Sequence, residues 1–79
     1  MIPIQDLINK IKWDKRENPK DYSLIFIDLN KEKEIPYTDI LRLEGNFMII
    51  LNNKAEEVDI PLHRIRKVKK NKEIIWERR

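Results

Sequence analysis

The residues of this chain best suited to chemistry on an anion lie together between positions 60 and 72. The segment IPLHRIRKVKKNK contains the only histidine of the 79-residue sequence and six of its seventeen lysines and arginines, and it contains no acid. Guanidinium groups donate paired hydrogen bonds to phosphate or carboxylate oxygens, and an imidazole exchanges protons near neutral pH. The segment is therefore either a site for an anionic ligand or an ordinary solvated basic edge.

The charge of the chain is concentrated in the same region. Residues 60–79 carry eight Lys/Arg against two Glu, a net charge of +6, whereas residues 1–59 carry a net charge of −3. Such asymmetry favours a polyanionic partner such as nucleic acid. There is no cysteine and no metal-ligand spacing, so we predict no disulfide, metal or cofactor. With no signal pattern and no long apolar run, we expect one cytoplasmic domain over 1–79, without membrane contact and monomeric.

The elements that must position these residues are a helix and several short strands. PIQDLINKIKW, residues 3–13, places Ile4, Leu7, Ile8 and Ile11 on one helical face. Later segments are rich in β-branched and aromatic residues between polar turns, which is typical of strands. We predict an α+β fold in which the N-terminal helix packs on a curled, barrel-like antiparallel β meander.

The strand region reads as an internal repeat of about 25 residues. The copy that begins at Tyr22 aligns in sequence with a second copy that begins at Phe47, and a partial third copy begins at Lys72. Ile35-Pro36 and Ile60-Pro61 match, and a proline must end a strand and favours a helical turn after it. With a single glycine in the chain, we expect asparagines to take the left-handed turn positions, namely Asn30, Asn46, Asn52, Asn53 and Asn71.

The differences between the copies select candidate binding residues. Thr38-Asp39 in the first copy becomes His63-Arg64 in the second, and Leu41 becomes Arg66. The first copy needs no cation to make the same structure, so His63, Arg64 and Arg66 are candidates for contact with an anion. The alternative is that Arg66 forms an ion pair inside the fold, with Asp28, Asp59 or Glu44.

For the other candidate residues, a structural role is the alternative to a role in binding. Lys67, Lys69 and their basic neighbours fit a solvated edge that also attracts phosphates. We expect Trp13 and Trp76 to lie in the core, and Tyr22 to pack there with its hydroxyl exposed or to stack on a base. Arg16 either reaches a ligand or caps the helix. One histidine cannot be both general acid and general base, and there is no glycine-rich phosphate loop, so no catalytic residue is predicted.

The motifs IKWDKRENPKDYSLIFID, EIPYTDI and IPLHRIRKV followed by EIIWER resemble a known family. The chain is similar, from Ile4 to Arg78, to small archaeal proteins of an uncharacterised family that share the RNA cyclic group end recognition domain. The resemblance implies binding of RNA ends that carry a 2′,3′-cyclic phosphate, with His63, Arg64 and Arg66 at the site and Asp14, Arg16 and Tyr22 contributing. Lys15 and Leu29 depart from the family pattern, which often has proline and arginine there.

The sequence therefore predicts a non-catalytic module that binds RNA termini, with RNA and RNA-processing enzymes as partners. Two other functions stay open. One is an RNA-processing enzyme that opens the cyclic phosphate with His63, and the other is a protein-interaction module that docks an acidic partner through its basic edge.

Overall fold

The computed structural model describes residues 2–78, in which one α-helix precedes seven β-strands and three short 3-10 turns. The helix, α1, is Ile4–Trp13. The strands are β1 (Tyr22–Asp28), β2 (Lys31–Pro36), β3 (Ile40–Glu44), β4 (Phe47–Leu51), β5 (Glu57–Pro61), β6 (Ile65–Lys70) and β7 (Glu73–Glu77). The 3-10 turns are Pro19–Asp21, Tyr37–Asp39 and Leu62–Arg64. The predicted α+β class is confirmed.

The helix forms where the apolar spacing predicted it. The four residues of its apolar face are buried, and they are Ile4, Leu7, Ile8 and Ile11. Pro3 lies at the N-cap in an extended conformation, so the helix begins one residue later than the predicted 3–13. The helix dipole is matched by Asp6 in the first turn and by Lys10 and Lys12 in the last.

The strands form two separate antiparallel sheets, which corrects the predicted barrel-like meander. One sheet has four strands in the order β2-β1-β6-β7, and the other has three in the order β3-β4-β5. β3 leaves the sheet of β1 and β2 to pair with β4, and β6 returns to pair with β1. The chain thus changes sheet twice, and within residues 2–78 the two sheets are not closed into a barrel.

The chain changes sheet at its two Ile-Pro corners. Pro36 and Pro61 end β2 and β5 with φ angles of −65° and −59°, and a 3-10 turn follows each proline at once. Proline donates no amide hydrogen bond and fixes φ, so the strand stops and the helical turn redirects the chain. The predicted corner geometry is therefore observed at both sites, whereas the duplication itself stays a prediction.

The helix and the inner faces of both sheets share one apolar core. Leu24 and Phe26 of β1, together with Met48 and Ile50 of β4, belong to the same buried cluster as the helix. Two hydrogen bonds, one buried and one partly buried, tie the helix region to the rest of the fold. The Tyr37 hydroxyl donates to the Ile8 carbonyl at 2.8 Å, and the Trp76 indole N–H donates to the Ile2 carbonyl at 2.8 Å.

Ion pairs cover an apolar residue on the outer face of each sheet. Ile25 of β1 is 7% exposed, although it points away from the core. Lys67 and Glu34 flank it on the neighbouring strands, and Lys67 and Lys69 pair with Glu32 and Glu34. In the other sheet Ile49 is 2% exposed beneath the Arg42–Glu57 pair. The aliphatic parts of these long side chains exclude water from the isoleucines.

The left-handed turn positions are only partly those predicted. Asn30 and Asn71 have φ angles of 65° and 50°, as expected. The prediction was wrong for Asn46, Asn52 and Asn53. Within residues 2–78 the other positive φ angles belong to Leu29, Gly45, Ala55 and Lys72. The two-residue loops Leu29-Asn30 and Asn71-Lys72 have both residues in the left-handed conformation that a type I′ hairpin requires.

The two tryptophans differ in environment. Trp76 is 7% exposed and lies in the core, as predicted. Trp13 is 73% exposed, so its predicted core position is wrong. The helix buries the face made by Ile4, Leu7, Ile8 and Ile11, and a rotation of 200° for the two residues after Ile11 carries Trp13 away from that face.

We expect Leu29→Asn to stabilise the protein. Leu29 has a φ of 51° and is 88% exposed, so the substitution relieves left-handed strain and loses no packing. The free energy of unfolding should rise by about 1 kcal/mol. The urea midpoint checks this, with Leu51→Asn as the control, because Leu51 is an exposed leucine in β4. An equal gain in both variants would contradict the strain argument.

Candidate nucleic-acid interface

The turn Leu62–Arg64 presents two of the predicted residues at the surface. Leu62 is 6% exposed, and its N–H donates to the Asn46 carbonyl at 2.8 Å. Ile65, directly after the turn, is fully buried. These two apolar residues anchor the turn at both ends, whereas His63 and Arg64 between them are exposed.

Arg78 fixes this turn from beneath, a role that sequence reasoning missed. Its Nε donates to the Ile65 carbonyl at 3.0 Å and its Nη2 to the Leu62 carbonyl at 3.2 Å. Its guanidinium lies 5.2 Å from the centre of the Trp76 ring, and its backbone N–H donates to the Arg66 carbonyl at 2.8 Å. The signal was in the sequence: Trp76-Glu77-Arg78 belongs to the motif that carries the family resemblance.

His63 and Arg78 line an open cleft of about 310 Å³ at the start of α1. Pro3, Ile4 and Gln5 of the helix form its other wall. Pro3 provides no side-chain cap for the helix, and the positive end of the helix dipole lies here. Asp6, in the same turn, offsets part of that potential. The cleft thus combines an imidazole, a guanidinium and a helix N-terminus.

Arg66 is the extra residue of a β-bulge. Ile65 pairs with Phe26 and Lys67 with Ile25, which leaves Arg66 without a partner residue on β1. It is exposed, and the ion pairs formed among residues 2–78 do not include it. Leu41 occupies the same position in the bulge of β3 against β4. The ion-pair alternative for Arg66 is therefore not observed in the described part of the chain.

Two of the three carboxylates proposed for that alternative have other partners. Asp28 accepts a hydrogen bond from Lys33 at 2.8 Å, and Glu44 accepts one from Arg42 at 2.6 Å. The pKa of Asp28 is lowered mainly by Lys33, with a smaller contribution from the charge of Arg64. Arg64 therefore lies near the end of β1 without forming an ion pair there.

The lysines of β6 lie inside a sheet, which corrects the predicted basic edge. β6 runs between β1 and β7, so it has neighbours on both sides. Lys67, Lys69 and Lys70 pair with Glu32, Glu34 and Glu17 at 3.8, 3.3 and 3.3 Å respectively. Hydrogen bonds from Ser23 and then Lys69 lower the pKa of Glu34. These lysines form ion pairs with acids, whereas His63, Arg64 and Arg66 belong to none of the ion pairs formed among residues 2–78.

The remaining predicted residues lie toward the other end of the sheet. Tyr22 pairs with Lys70, four residues along β1 from the Phe26–Ile65 pair, a distance of about 13 Å. The Tyr22 ring is buried as expected, but its hydroxyl donates to Glu17. Burial and that carboxylate raise the pKa of Tyr22 far above its usual value.

Asp14 and Arg16 bind each other next to the end of α1. Arg16 Nε and Nη2 donate to the two Asp14 carboxylate oxygens, each at 3.1 Å. The hydrogen bond from the Arg16 side chain lowers the pKa of Asp14. His63, Arg64 and Arg66 are thus exposed near neighbours along the second turn and the start of β6, whereas Asp14 and Arg16 lie beside the end of α1 and Tyr22 pairs with the far end of β6.

Residues 2–78 contain neither a helix suited to crossing a membrane nor a cluster suited to holding a metal ion. No helix in this range is long and apolar enough to cross a membrane. No group of three or more His, Asp or Glu side chains in it could hold a metal ion.

The fold and this corner define a small α+β protein with a cationic cleft between a 3-10 turn and a helix N-terminus. The chain belongs to the family described as the MJ1316 RNA cyclic group end recognition domain, whose model matches residues 1–78. The family predicted from the sequence motifs is thereby confirmed.

The relatives of this chain include uncharacterised archaeal proteins of similar length. It is 35% identical to UPF0248 protein SSO2687 of Saccharolobus solfataricus, over 95% of each chain. It is 34% identical to UPF0248 protein LS215_2790 of Saccharolobus islandicus, covering 95% of this chain and 98% of the relative. It is 33% identical to UPF0248 protein MMP0286 of Methanococcus maripaludis, covering 96% of this chain and 99% of the relative. No solved structure matches the chain.

We expect Arg78→Lys to loosen the corner although it keeps the charge. An ammonium group cannot donate to the Leu62 and Ile65 carbonyls in the geometry of the guanidinium fork. The free energy of unfolding should fall by about 1–2 kcal/mol, as measured by urea titration. Arg64→Lys, the same change at an exposed arginine of the turn, is the control and should change stability by less than about 0.5 kcal/mol. Equal stability of the two variants would contradict the role of Arg78.

Proposed function

We propose that this domain binds the ends of RNA and recognises a terminal 2′,3′-cyclic phosphate at the corner formed by His63, Arg64 and Arg66. The observation that carries the proposal is the contrast in charge pairing along one segment. The lysines of β6 are each paired with a glutamate, whereas the histidine and two arginines that precede or enter β6 are exposed and absent from the ion pairs of residues 2–78. The family description supports RNA as the source of the anion.

The chemistry of the ligand matches the residue types at this corner. A cyclic phosphate carries one negative charge, so charge alone distinguishes it poorly from any phosphate in the backbone. An arginine can donate two parallel hydrogen bonds to the two free phosphate oxygens, which lysine cannot do. The His63 imidazole can donate to a ribose or bridging oxygen, and the cleft beside it gives the terminal nucleotide a surface to pack on.

The corner is also rigid enough for a selective contact. Leu62 and Ile65 are buried on either side of it, and Arg78 donates to both of their carbonyls. A fixed backbone leaves only side chains to be ordered on binding, which favours selective binding. The β-bulge also makes the Arg66 side chain accessible to a ligand, because Arg66 lies outside the regular pairing of β6 with β1.

The test is a binding titration with identical RNAs that end in cyclic phosphate, 3′-phosphate or hydroxyl. The wild type should bind the cyclic end most tightly and return it unchanged. Conversion of the cyclic phosphate would instead indicate an enzyme that uses His63. Equal affinity for all three ends would contradict the proposal, and an absence of RNA binding would favour a protein partner.

We expect Arg66→Leu to remove the preference for the cyclic end without harming the fold. Leucine already occupies the equivalent bulge position at Leu41, where it is 43% exposed. Affinity for the cyclic end should fall by about tenfold to a hundredfold, and the urea midpoint should stay near the wild-type value. Lys54→Leu removes the same charge from the distant loop after β4 and is the matched control. A large loss of stability with the end preference intact would exclude Arg66 as the recognition residue.

The dependence of RNA affinity on salt should separate the arginines from the lysines. Arg64→Gln should reduce the slope of log affinity against log salt by about 0.7, the value expected for one lost contact with a single strand. Lys69→Gln should change the slope by less than half of that, because Glu34 already offsets Lys69. Equal reductions in the two variants would contradict the division between paired and available cations.

A further inference from the structure

A second exposed feature lies at the opposite end of α1 from the His63 cleft. Trp13, the last residue of the helix, has 73% of its surface exposed, whereas Trp76 is 7% exposed. An exposed indole costs free energy because its apolar rings contact water. The core contacts described above do not involve Trp13, so the fold gives no reason for a tryptophan at this position.

Trp13 lines an open cleft of about 300 Å³ between α1 and β3. Leu41, the extra residue of the β3 bulge, contributes to the same cleft and is 43% exposed. Tyr37 also lines it, and its position is fixed by the hydrogen bond to the Ile8 carbonyl. Asn9 adds a half-buried amide. A flat ligand can therefore contact an indole and a leucine side chain, with an amide within the same cleft.

The charges around the indole favour an anionic ligand. Lys12 Nζ lies 5.1 Å from the centre of the Trp13 ring. Residues 10–16 contain two further lysines and Arg16, against the single acid Asp14, which Arg16 binds. Arg42, at the edge of the cleft, pairs with Glu44 and Glu57, so its charge is already offset. An aromatic ring among lysines is the combination with which proteins hold single-stranded nucleic acid.

We propose that Trp13 and Leu41 form a stacking site for a nucleobase of single-stranded RNA, a few nucleotides from the end bound at His63. This inference rests on the proposed function, because it takes the RNA end at the other cleft as its reference point. The nine residue steps from Ile4 to Trp13 span about 14 Å along the helix. A stacked strand advances about 3.4 Å per nucleotide, so the site would receive a base about four nucleotides from the end.

The experiment compares Trp13→Ala with the wild type on RNAs of two and eight nucleotides, each with cyclic-phosphate and hydroxyl ends. The eight-nucleotide RNAs should lose about tenfold or more in affinity, equally for both ends, because the base at Trp13 is remote from the end group. The two-nucleotide RNAs should bind as they do to the wild type, since they are too short to reach the indole. Trp13→Phe should restore part of the affinity.

Two controls connect the result to stacking. Leu29→Ala removes another exposed apolar side chain, 88% exposed, and should leave RNA affinity unchanged. An eight-nucleotide RNA should quench the fluorescence of the wild type, and the quenching should be lost in Trp13→Phe, where buried Trp76 is the remaining tryptophan. Replacing the fourth nucleotide from the end with an abasic one should reduce wild-type affinity as much as Trp13→Ala does.

The outcomes distinguish this inference from the proposed function. If Trp13→Ala binds the long RNAs as tightly as the wild type while the preference for cyclic ends persists, the stacking site is wrong and the proposed function stands. If the wild type shows no end preference but Trp13→Ala loses affinity only for long RNA, the proposed function fails and the stacking site remains. Wild-type protein that binds no RNA would overturn both. A wild-type dimer that Trp13→Ala converts to a monomer would overturn the inference in favour of self-association.

Discussion

The structure depends on the two prolines that end β2 and β5. A proline cannot donate to the next strand and fixes its own φ, so each strand stops there and a 3-10 turn carries the chain to the other sheet. This is why seven short strands form two sheets around one core. The same constraint decides what the turns expose. Leu62 and Ile65 must be buried to hold the second turn, and a turn of three residues then leaves His63 and Arg64 in solvent.

The distribution of charge pairing follows from the sheet topology. β6 lies beside β1, and β2 lies on the other side of β1, so lysines of β6 face glutamates of β2 across a single strand. The resulting pairs are largely exposed and contribute little to stability individually, but they cover Ile25 and reduce the attraction of those lysines for a polyanion. His63 and Arg64 belong to none of the ion pairs formed within residues 2–78. The number of lysines and arginines in the sequence would place an anion-binding surface along β6. The pattern of ion pairs instead favours the corner of His63, Arg64 and Arg66 as the proposed site.

Local features of the fold could be predicted from the sequence, and its long-range pairing could not. The apolar spacing from Ile4 to Ile11 determined the helix, and the Ile-Pro steps determined both corners. The partner of β6 depends on contacts distant in sequence, so its position beside β1 had no local signal. β3 and β4, by contrast, form a hairpin with the two-residue loop Gly45-Asn46, a pairing of consecutive strands that the predicted meander implies. Exposed Trp13 was assigned to the core on its hydrophobicity, although its position two residues after Ile11 in the helix places it opposite the apolar face. His63, Arg64 and Arg66 became candidates because the two similar segments differ there, and Arg78 was missed because its role is to donate to carbonyls far along the chain.

Arg78 and Arg66 illustrate how one residue type can serve two purposes in the same corner. Arg78 uses its donors on the Leu62 and Ile65 carbonyls and rests against Trp76, so much of its hydrogen-bonding capacity is used by the fold. The Arg78 N–H donates to the Arg66 carbonyl and so holds the backbone at Arg66, whereas the Arg66 guanidinium is exposed. The backbone of the bulge is therefore fixed before any ligand arrives, and the donors at its tip remain available. At the proposed site, a contact with a singly charged phosphate would then have to order only the Arg66 side chain and not the backbone that carries it.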